Sequence, residues 1–411
     1  MRILFLHNNF PGQYRRLMAA LSGEPGIEMV AGTLGSNQQP IPISRVNYAP
    51  HREVTRGIHP AVASFESAVL NGQAVYRAFA PLKARGWVPD VVCAHSGWGP
   101  SLMVKQLWPE TKLLSYYEWY YHARGTDADF LPDATISDDD AVRTHMKNAP
   151  ILMDLAAMDW GVSPTRWQQS QFPSLFRRRI SVLHDGVDTD YLTPDPAARF
   201  VLEDGRVLTP ADEVVTYVAR GMEPYRGFPA FMAALARVQK TRPNLQALVI
   251  GQDRVAYGRK RPDGRSYKDA AIEEQDLDLS RVHFTGLVPF ETLRAAFHVS
   301  TVHVYLTVPF VLSWSMIEAM AAGCLVLGSD TPPVREVIRD GENGLLTDFF
   351  DVGQIAARME EAVEKRVAYR ALREKARLTT LERYAARNLI PAHRQLLVDV
   401  ASGTLPGAHE G

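Results

Sequence analysis

Short hydrophobic runs recur along the chain and alternate with segments whose apolar residues follow helical spacing. In the first half such runs predict strands at residues 2–7, 27–34, 90–95, 112–118 and 158–164. Helical spacing predicts helices at 12–23 and 61–85 between them. The second half repeats the pattern, with strands predicted at 179–188, 213–220, 245–251, 281–287, 300–307 and 324–330.

This alternation predicts an α/β fold. Continuous apolar strands separated by helices are typical of parallel sheets covered on both faces. Two such series in 411 residues predict two Rossmann-like domains, with parallel sheets facing across a cleft. We place the boundary in the polar segment between Pro173 and Ile180, giving domains 1–175 and 176–384. The segment from about 385 to 411 is expected to pack back on the first domain.

Composition narrows the class of protein. Hydrophobic residues make up 46% and charged residues 22%, as in soluble globular proteins, and a net charge of −1 gives no field to recruit nucleic acid. No apolar run reaches the roughly 20 residues that span a bilayer. Cys93 and Cys324 lie in different halves and are expected to be reduced. We therefore expect a cytoplasmic protein. Arg15, Arg16 and the segment "FRRR" allow peripheral contact with the inner membrane face, or are solvated surface arginines.

Two segments offer candidate chemistry. The loop "RGMEPYRG" places Arg220 and Arg226 directly after a predicted strand, where two guanidinium groups suit a diphosphate. The alternative is a solvated loop. Glu318 is the one carboxylate in the apolar run "VPFVLSWSMIEAMAAG". It could accept hydrogen bonds from both hydroxyls of a ribose, or be a buried structural glutamate.

Together these segments resemble the retaining glycosyltransferases of family 4, which have the GT-B fold. The similar stretches are "HDGVDTDYLTP", "RGMEPYRG" and "IEAMAAGCLVLGSDTPPVREVIRDGENGLL". The resemblance is strongest from about Ile180 to Leu346. It is weaker at the N-terminus, where "HNNFPGQ" occupies the place of the family's glycine loop.

The resemblance implies a nucleotide-sugar donor, UDP- or GDP-linked, and a hydroxyl acceptor, with no metal and no other cofactor. Arg220 and Arg226 would neutralise the departing diphosphate, Glu318 would hold the ribose, and Gly12 would let the backbone approach the diphosphate. The implied donor site comprises Gly12, Arg220, Arg226, Gly251, Leu287, Val288, Val311, Leu312, Ser313 and Glu318.

The chain also departs from the family pattern. The family carries a sugar-contacting glutamate eight positions before the ribose-binding one, and here that position is Phe310. Where the family usually has a histidine, this chain has Tyr117 and Glu118. We expect Glu118 to provide a relocated sugar contact, or to pair with a nearby arginine or His122. The acidic segment "ISDDDAV" is interpreted as a solvated turn or helix cap rather than a metal site.

The expected acceptor and catalytic residues complete the hypothesis. His95 ends a predicted strand and either orients the acceptor or diphosphate or caps a turn. The acceptor set is Phe10, His95, Trp98, Tyr117 and Glu118, and the catalytic set is Arg220, Arg226, Glu118 and His95. The prediction is a retaining, metal-independent glycosyltransferase whose acceptor is a glycan, a lipid or a small metabolite. The alternatives are a nucleotide-sugar epimerase on the same fold and a non-catalytic nucleotide-sugar-binding protein. The sequence leaves the oligomeric state open.

Overall fold

The computed structural model describes residues 1–404, which form two compact units. Unit 1 contains Met1–Gly186 and the described residues from Ala386 onward, and unit 2 contains Val187–Ala385. Among the described residues no helix is both long and apolar enough to cross a membrane.

Unit 1 is built on a parallel sheet of seven strands in the order β3-β2-β1-β4-β5-β6-β7. The strands are β1 Arg2–Leu6, β2 Glu28–Leu34, β3 Ser44–Tyr48, β4 Val91–His95, β5 Lys112–Tyr116, β6 Trp160–Ser163 and β7 Ile180–Val182. The helices are α1 Arg15–Leu21, α2 Ala63–Ala84, α3 Val104–Leu107, α4 Asp138–Met146, α5 Ala149–Ala157, α6 Arg166–Ser170 and α7 Ser174–Arg177. The strand order reverses between β1 and β4, which is where such sheets bind ligands.

The boundary predicted between residues 175 and 176 is placed too early. β7 pairs with β6 in the first sheet, with Ile180 opposite Gly161 and Val182 opposite Ser163. The chain therefore leaves unit 1 only after Gly186. The strand predicted over 179–188 is also shorter than expected, ending at Val182.

Unit 2 has a six-stranded parallel sheet in the order β12-β11-β10-β13-β14-β15, with a small antiparallel pair of β8 and β9. The strands are β8 Phe200–Val201, β9 Val207–Leu208, β10 Val214–Gly221, β11 Gln246–Gln252, β12 Val282–Gly286, β13 Val302–Tyr305, β14 Leu325–Ser329 and β15 Leu345–Thr347. The helices are α8 Phe228–Thr241, α9 Tyr267–Glu274, α10 Phe290–Val299, α11 Trp314–Ala321, α12 Pro332–Arg335, α13 Val352–Glu364 and α14 Arg370–Arg383. Here the strand order reverses between β10 and β13.

The last helix, α15 Ala386–Ser402, belongs to unit 1. Its apolar side covers one face of the first sheet, where Leu397 and Val400 join a buried cluster with Ile3 and Val91. Burying each such side chain contributes about 1.5–3 kcal/mol. The helix therefore supplies part of the core of unit 1, although it is separated from the rest of that unit by the whole of unit 2.

Candidate active site

Polar side chains gather at the carboxyl ends of the three adjacent strands β1, β4 and β5. His7 directly follows β1, His95 is the last residue of β4, and Glu118 lies just beyond β5. Because the carboxyl ends of parallel strands meet at one edge of a sheet, residues distant in sequence become neighbours here. The rings of His7 and His95 have centroids 5.2 Å apart.

A chain of hydrogen bonds connects His7 to Glu118. The backbone N–H of Asn9 donates to Nδ1 of His7 at 2.9 Å, so the hydrogen of the neutral ring is on Nε2. Nε2 donates to Oε1 of Gln13 at 2.9 Å, and Nε2 of Gln13 donates to Oε1 of Glu118 at 3.2 Å. Burial and the neighbouring His95 lower the pKa of His7 to about 3, so this ring is neutral near pH 7. The chain holds one carboxylate oxygen of Glu118 in place.

His95 faces the other carboxylate oxygen. Its Nδ1 donates to the carbonyl oxygen of Ser96 at 2.9 Å, and its ring stacks on Trp98 with centroids 3.8 Å apart. Its Nε2 lies 3.6 Å from Oε2 of Glu118, just beyond hydrogen-bond length. This nitrogen is buried and has no hydrogen-bond partner among residues 1–404. A substrate hydroxyl placed here could donate its hydrogen either to Nε2 of His95 or to the Glu118 carboxylate.

The charge state of Glu118 follows from these neighbours. Burial opposes ionisation, but His95, His7 and Gln13 favour the carboxylate, and together they hold the pKa of Glu118 below its usual value. The side chain is 35% exposed, so the carboxylate can reach a ligand. Glu118 is therefore an ionised, positioned acceptor of hydrogen bonds. Its predicted role with substrate stays a prediction, and the basic residue that it faces is His95, at 3.6 Å, rather than an arginine or His122.

Two residues predicted to contact the acceptor have core positions instead. Phe10 is fully buried against Phe5 and Tyr14, and Tyr117 is fully buried against Phe172. Neither side chain is available to a substrate. Both follow the end of a strand, and in both cases the chain turns the side chain into the hydrophobic core.

Trp98 and Gly12 lie beside the cluster. Trp98 is half-buried and also contacts the edge of the His7 ring, at a centroid distance of 5.1 Å. Gly12 has a φ of +46°, and a Cβ there would come within 2.6 Å of Nε2 of His7. The glycine is thus required by the packing of His7. An approach of its backbone to a diphosphate stays a prediction.

In unit 2 the two arginines predicted to bind the diphosphate differ in their exposure to solvent. Arg220, near the end of β10, is exposed, and its guanidinium makes no hydrogen bond to any described residue. Arg226 is only 6% exposed. Its Nη1 donates to the hydroxyl of Thr307 at 2.6 Å, to that of Tyr305 at 3.1 Å and to the carbonyl of Val311 at 3.2 Å. Arg226 therefore fixes the loop after β13, whereas Arg220 is free to meet an anion.

Glu223, between these arginines, was not singled out from the sequence. It is fully buried, and its carboxylate accepts the backbone N–H groups of Ala256, Tyr257 and Gly258 at 2.7–3.1 Å. The bonds place the Tyr257 ring 5.4 Å from the Arg226 guanidinium. A glutamate between two arginines on one loop is compatible with an exposed ion pair, so only the folded loop identifies this role.

The loop after β13 is largely occupied by internal contacts. Residues 311–313 belong to the implied donor site, but the N–H of Ser313 already donates to the hydroxyl of Tyr305 at 2.8 Å. Ser313 also caps α11, while Val311 is buried and Leu312 half-buried. The Phe310 ring contacts the rings of Tyr225 and Tyr257, with centroids 5.9 and 5.4 Å away. An aromatic cluster thus occupies the position where the family has a carboxylate.

The remaining predicted donor residues of unit 2 lie in β11, after β12 and in α11. Glu318 lies within α11 and is buried. Leu287 is 69% exposed after β12, whereas Val288 packs against a core cluster. Gly251 is required by the local structure, because its φ is +141° and a Cβ there would lie 2.0 Å from the carbonyl oxygen of Ala219. Contacts of these residues with a nucleotide stay predictions.

The acidic segment 136–142 forms a helix start. Ser137 and Asp140 make a reciprocal capping box at the beginning of α4, as the helix-cap interpretation predicts. Within residues 1–404 no group of three or more histidine, cysteine or acidic side chains is arranged to hold a metal ion.

Comparisons with known proteins agree with the two-unit division. The family profile described as "Glycosyl transferase family 4 group" matches residues 25–192, and that described as "Glycosyl transferases group 1" matches residues 204–379. Among curated proteins, a phosphatidyl-myo-inositol mannosyltransferase of Mycolicibacterium smegmatis is 26% identical over 197 residues, covering 47% of this chain and 44% of that protein. A D-inositol 3-phosphate glycosyltransferase of Nocardia farcinica is 27% identical over 221 residues, covering 52% and 47%. The alignments thus span less than half the length of these relatives.

Solved structures show the same fold. The sucrose-phosphate synthase of Thermosynechococcus elongatus superposes with a TM-score of 0.73 at 17% identity, covering 98% of this chain and 100% of that one. HepE of Anabaena, in complex with UDP-glucose, gives a TM-score of 0.68 at 15% identity, covering 97% and 100%. With its two profile matches and this fold, the chain belongs to the family 4 glycosyltransferases of the GT-B fold.

Proposed function

We propose that this protein transfers a sugar from a UDP- or GDP-linked donor to a hydroxyl acceptor, with retention of anomeric configuration and without a metal ion. The observation that carries the proposal is the pair formed by His95 and Glu118: an ionised carboxylate beside a buried, unpartnered imidazole nitrogen at the strand-order reversal of unit 1. The structure of HepE, which has a similar fold, was solved with UDP-glucose, and this supports a sugar nucleotide as the donor class.

In the proposal, unit 2 holds the donor nucleotide. Arg220 is an exposed cation near the end of β10, and it would stabilise the negative charge that develops on the diphosphate as the sugar leaves. Arg226 would act through the loop it fixes rather than by direct contact. Glu318 would accept hydrogen bonds from the ribose hydroxyls.

In unit 1, Glu118 and His95 would hold hydroxyls of the reacting sugar or acceptor. With the ring hydrogen of His95 on Nδ1, its Nε2 accepts a hydrogen bond, as the Glu118 carboxylate does. Gln13 and His7 keep Glu118 oriented and neutral His7 adds no competing charge. Retention requires the acceptor to attack from the face that the diphosphate leaves, so precise placement of one hydroxyl is the main demand on these side chains.

The first experiment identifies the donor. A thermal-shift panel of nucleoside diphosphates and nucleotide sugars should give one base that stabilises the protein, because a ligand at about 100 times its Kd adds roughly 2.7 kcal/mol. If no nucleotide or nucleotide sugar shifts the melting temperature, the proposed donor class is wrong.

The second experiment separates transfer from the alternatives. With the donor identified, slow release of free sugar without acceptor, and NMR of the first-formed anomer, report on catalysis and stereochemistry. Retention in the product supports the proposal, and inversion contradicts it. An isomerised sugar nucleotide formed without acceptor would identify an epimerase instead. Tight donor binding with neither hydrolysis nor transfer across an acceptor panel would identify a binding protein.

A further inference from the structure

A second pocket lies in unit 2, at the opposite edge of its sheet from Arg220. It has a volume of about 360 Å³ and is lined by residues that precede β10, β13 and β14, including Pro210, Thr301 and Gly323. These are the amino ends of the strands, whereas Arg220 and Gly251 of the candidate donor site lie at the carboxyl ends of β10 and β11. The pocket is therefore separate from the candidate active site.

Four arginines line this pocket, which we call the arginine pocket: Arg366, Arg370, Arg373 and Arg377. The last three share one face of α14, at spacings i, i+3 and i+7. Only two carboxylates, Asp195 and Glu374, line the same pocket, so the fixed charges leave an excess of two positive charges. A cluster of like charges on one helix face is destabilising unless something compensates for it.

The electrostatic cost is visible at Arg373. Burial, followed by the nearby Arg366 and Arg370, lowers the pKa of this guanidinium below its usual value, although Cys324 and Glu374 act in the other direction. A lowered arginine pKa means that the surroundings disfavour the cation. A bound anion would offset the part of that penalty that comes from Arg366 and Arg370.

Part of the cluster has a structural role. Nη1 of Arg366 donates to the carbonyl oxygens of residues 210–212, and Arg377 donates to those of Leu192 and Ala321. These bonds hold the two arginines rigidly as walls of the pocket. Arg373 uses one terminal nitrogen, toward the carbonyl of Arg366, and Arg370 pairs with Glu374 in an exposed contact. Since a guanidinium has five N–H donors, Arg366, Arg370 and Arg373 keep donors for a ligand.

A further polar atom in the pocket also lacks a partner. His298 lines it, and its Nε2 is buried with no hydrogen bond to the part of the chain that the structure describes. Hydrogen bonds from the arginines to backbone carbonyls explain neither the lack of a partner for this nitrogen nor the excess positive charge.

We propose that the arginine pocket binds a phosphate-bearing ligand the size of a diphosphate. Arginine forks match phosphate oxygens in pairs, and the pocket volume lies within the range typical of small-molecule sites. The phosphate could come from a free metabolite or from a lipid headgroup, since both present the same oxygens.

The test uses the full chain and inorganic pyrophosphate, with R370Q/R373Q as the variant. R339Q/K375Q is the matched control, because it removes the same charge from exposed side chains of unit 2 that do not line the arginine pocket. Calorimetry should show pyrophosphate affinity at this pocket falling at least tenfold in R370Q/R373Q and changing less than twofold in the control. The single variant Arg370→Gln, at an exposed position, tests the same point should the double variant fail to fold.

Two further arms identify the source of the phosphate and keep the proposal separate from the donor site. Flotation with phosphatidylglycerol vesicles that is lost in R370Q/R373Q, but not in the control, would assign a lipid headgroup; pyrophosphate binding without such flotation would assign a soluble ligand. Stabilisation by the donor nucleotide should be unchanged in R370Q/R373Q. If the pocket variants and the control bind pyrophosphate and vesicles equally, the arginine pocket is structural only and the proposal is overturned.

Discussion

Replacing Glu223 by Gln should loosen the loop that follows β11. The buried carboxylate accepts N–H groups from three consecutive residues, with Oε1 toward Ala256 and Tyr257 and Oε2 toward Tyr257 and Gly258. Glutamine has nearly the same shape but presents one oxygen and one NH₂ group. Whichever way the amide turns, its NH₂ group faces a backbone N–H group and cannot accept a hydrogen bond from it.

The magnitude follows from the bonds lost. A hydrogen bond to a charged group contributes about 1.5–3 kcal/mol, and a buried donor left without an acceptor costs about 1–3 kcal/mol. Glu223→Gln keeps one oxygen, so about half of the set survives. We expect the free energy of unfolding of unit 2 to fall by about 2–4 kcal/mol. Because Tyr257 lies against Arg226, donor affinity should fall as well.

Urea unfolding and hydrogen exchange check this together. The amides of residues 256–258 should exchange much faster in E223Q. The control is E342Q, since Glu342 is an exposed partner of Arg339 at 3.6 Å, and such pairs contribute about 0–1 kcal/mol. Equal stability of E223Q and E342Q, with unchanged protection at residues 256–258, would refute the argument that this carboxylate organises the loop.

Three other side chains and the metal independence give further predictions. Glu118→Gln should lower kcat about tenfold or more, equivalent to about 1.4 kcal/mol, with nucleoside diphosphate affinity unchanged; wild-type turnover in the variant would contradict the role. Arg220→Ala should weaken nucleoside diphosphate binding about tenfold or more, from the loss of about 1.5–3 kcal/mol, measured by calorimetry. Turnover should survive EDTA, and loss of activity restored by a divalent metal would exclude the metal-independent mechanism. Burial, Arg16 and His393 lower the pKa of His184 to about 3, below its unfolded value of 6.5, so the stability it contributes is lost as pH falls below 6.5. His184→Asn keeps an acceptor for the Gly186 N–H, and its stability deficit relative to wild type should shrink by roughly 2.7 kcal/mol between pH 7 and pH 4.5 in urea unfolding.

The sequence by itself determined the α/β architecture and indicated which edge of each sheet carries the candidate site residues. Uninterrupted apolar strands can only be buried on both faces, so alternation with helices identified parallel sheets. Residues placed at the carboxyl ends of strands, such as His95, Glu118 and Arg220, could be grouped because parallel strands end at the same edge. The same argument applied to β1 would have added His7, which the sequence interpretation did not use.

Side-chain direction beyond the strand ends required the tertiary structure. Phe10 and Tyr117 were assigned to the acceptor from position alone, yet both point into the core. Alternation along a strand no longer applies once the chain turns, and the neighbouring elements decide which face is buried. For the same reason Arg226 could not be distinguished from Arg220 until the structure showed that it is buried and that its Nη1 bonds to Thr307 and Val311.

The position of the boundary between the units also depends on the tertiary structure. β7 is short and follows a polar segment, so its local pattern indicates the start of a new domain. It belongs to the first sheet because the edge of β6 would otherwise be unpaired. Backbone pairing there gives hydrogen-bond partners to N–H and C=O groups that would otherwise be buried without them. Composition and periodicity describe what each segment can form, but the partner that completes its hydrogen bonds lies elsewhere in the chain, and only the folded structure selects it.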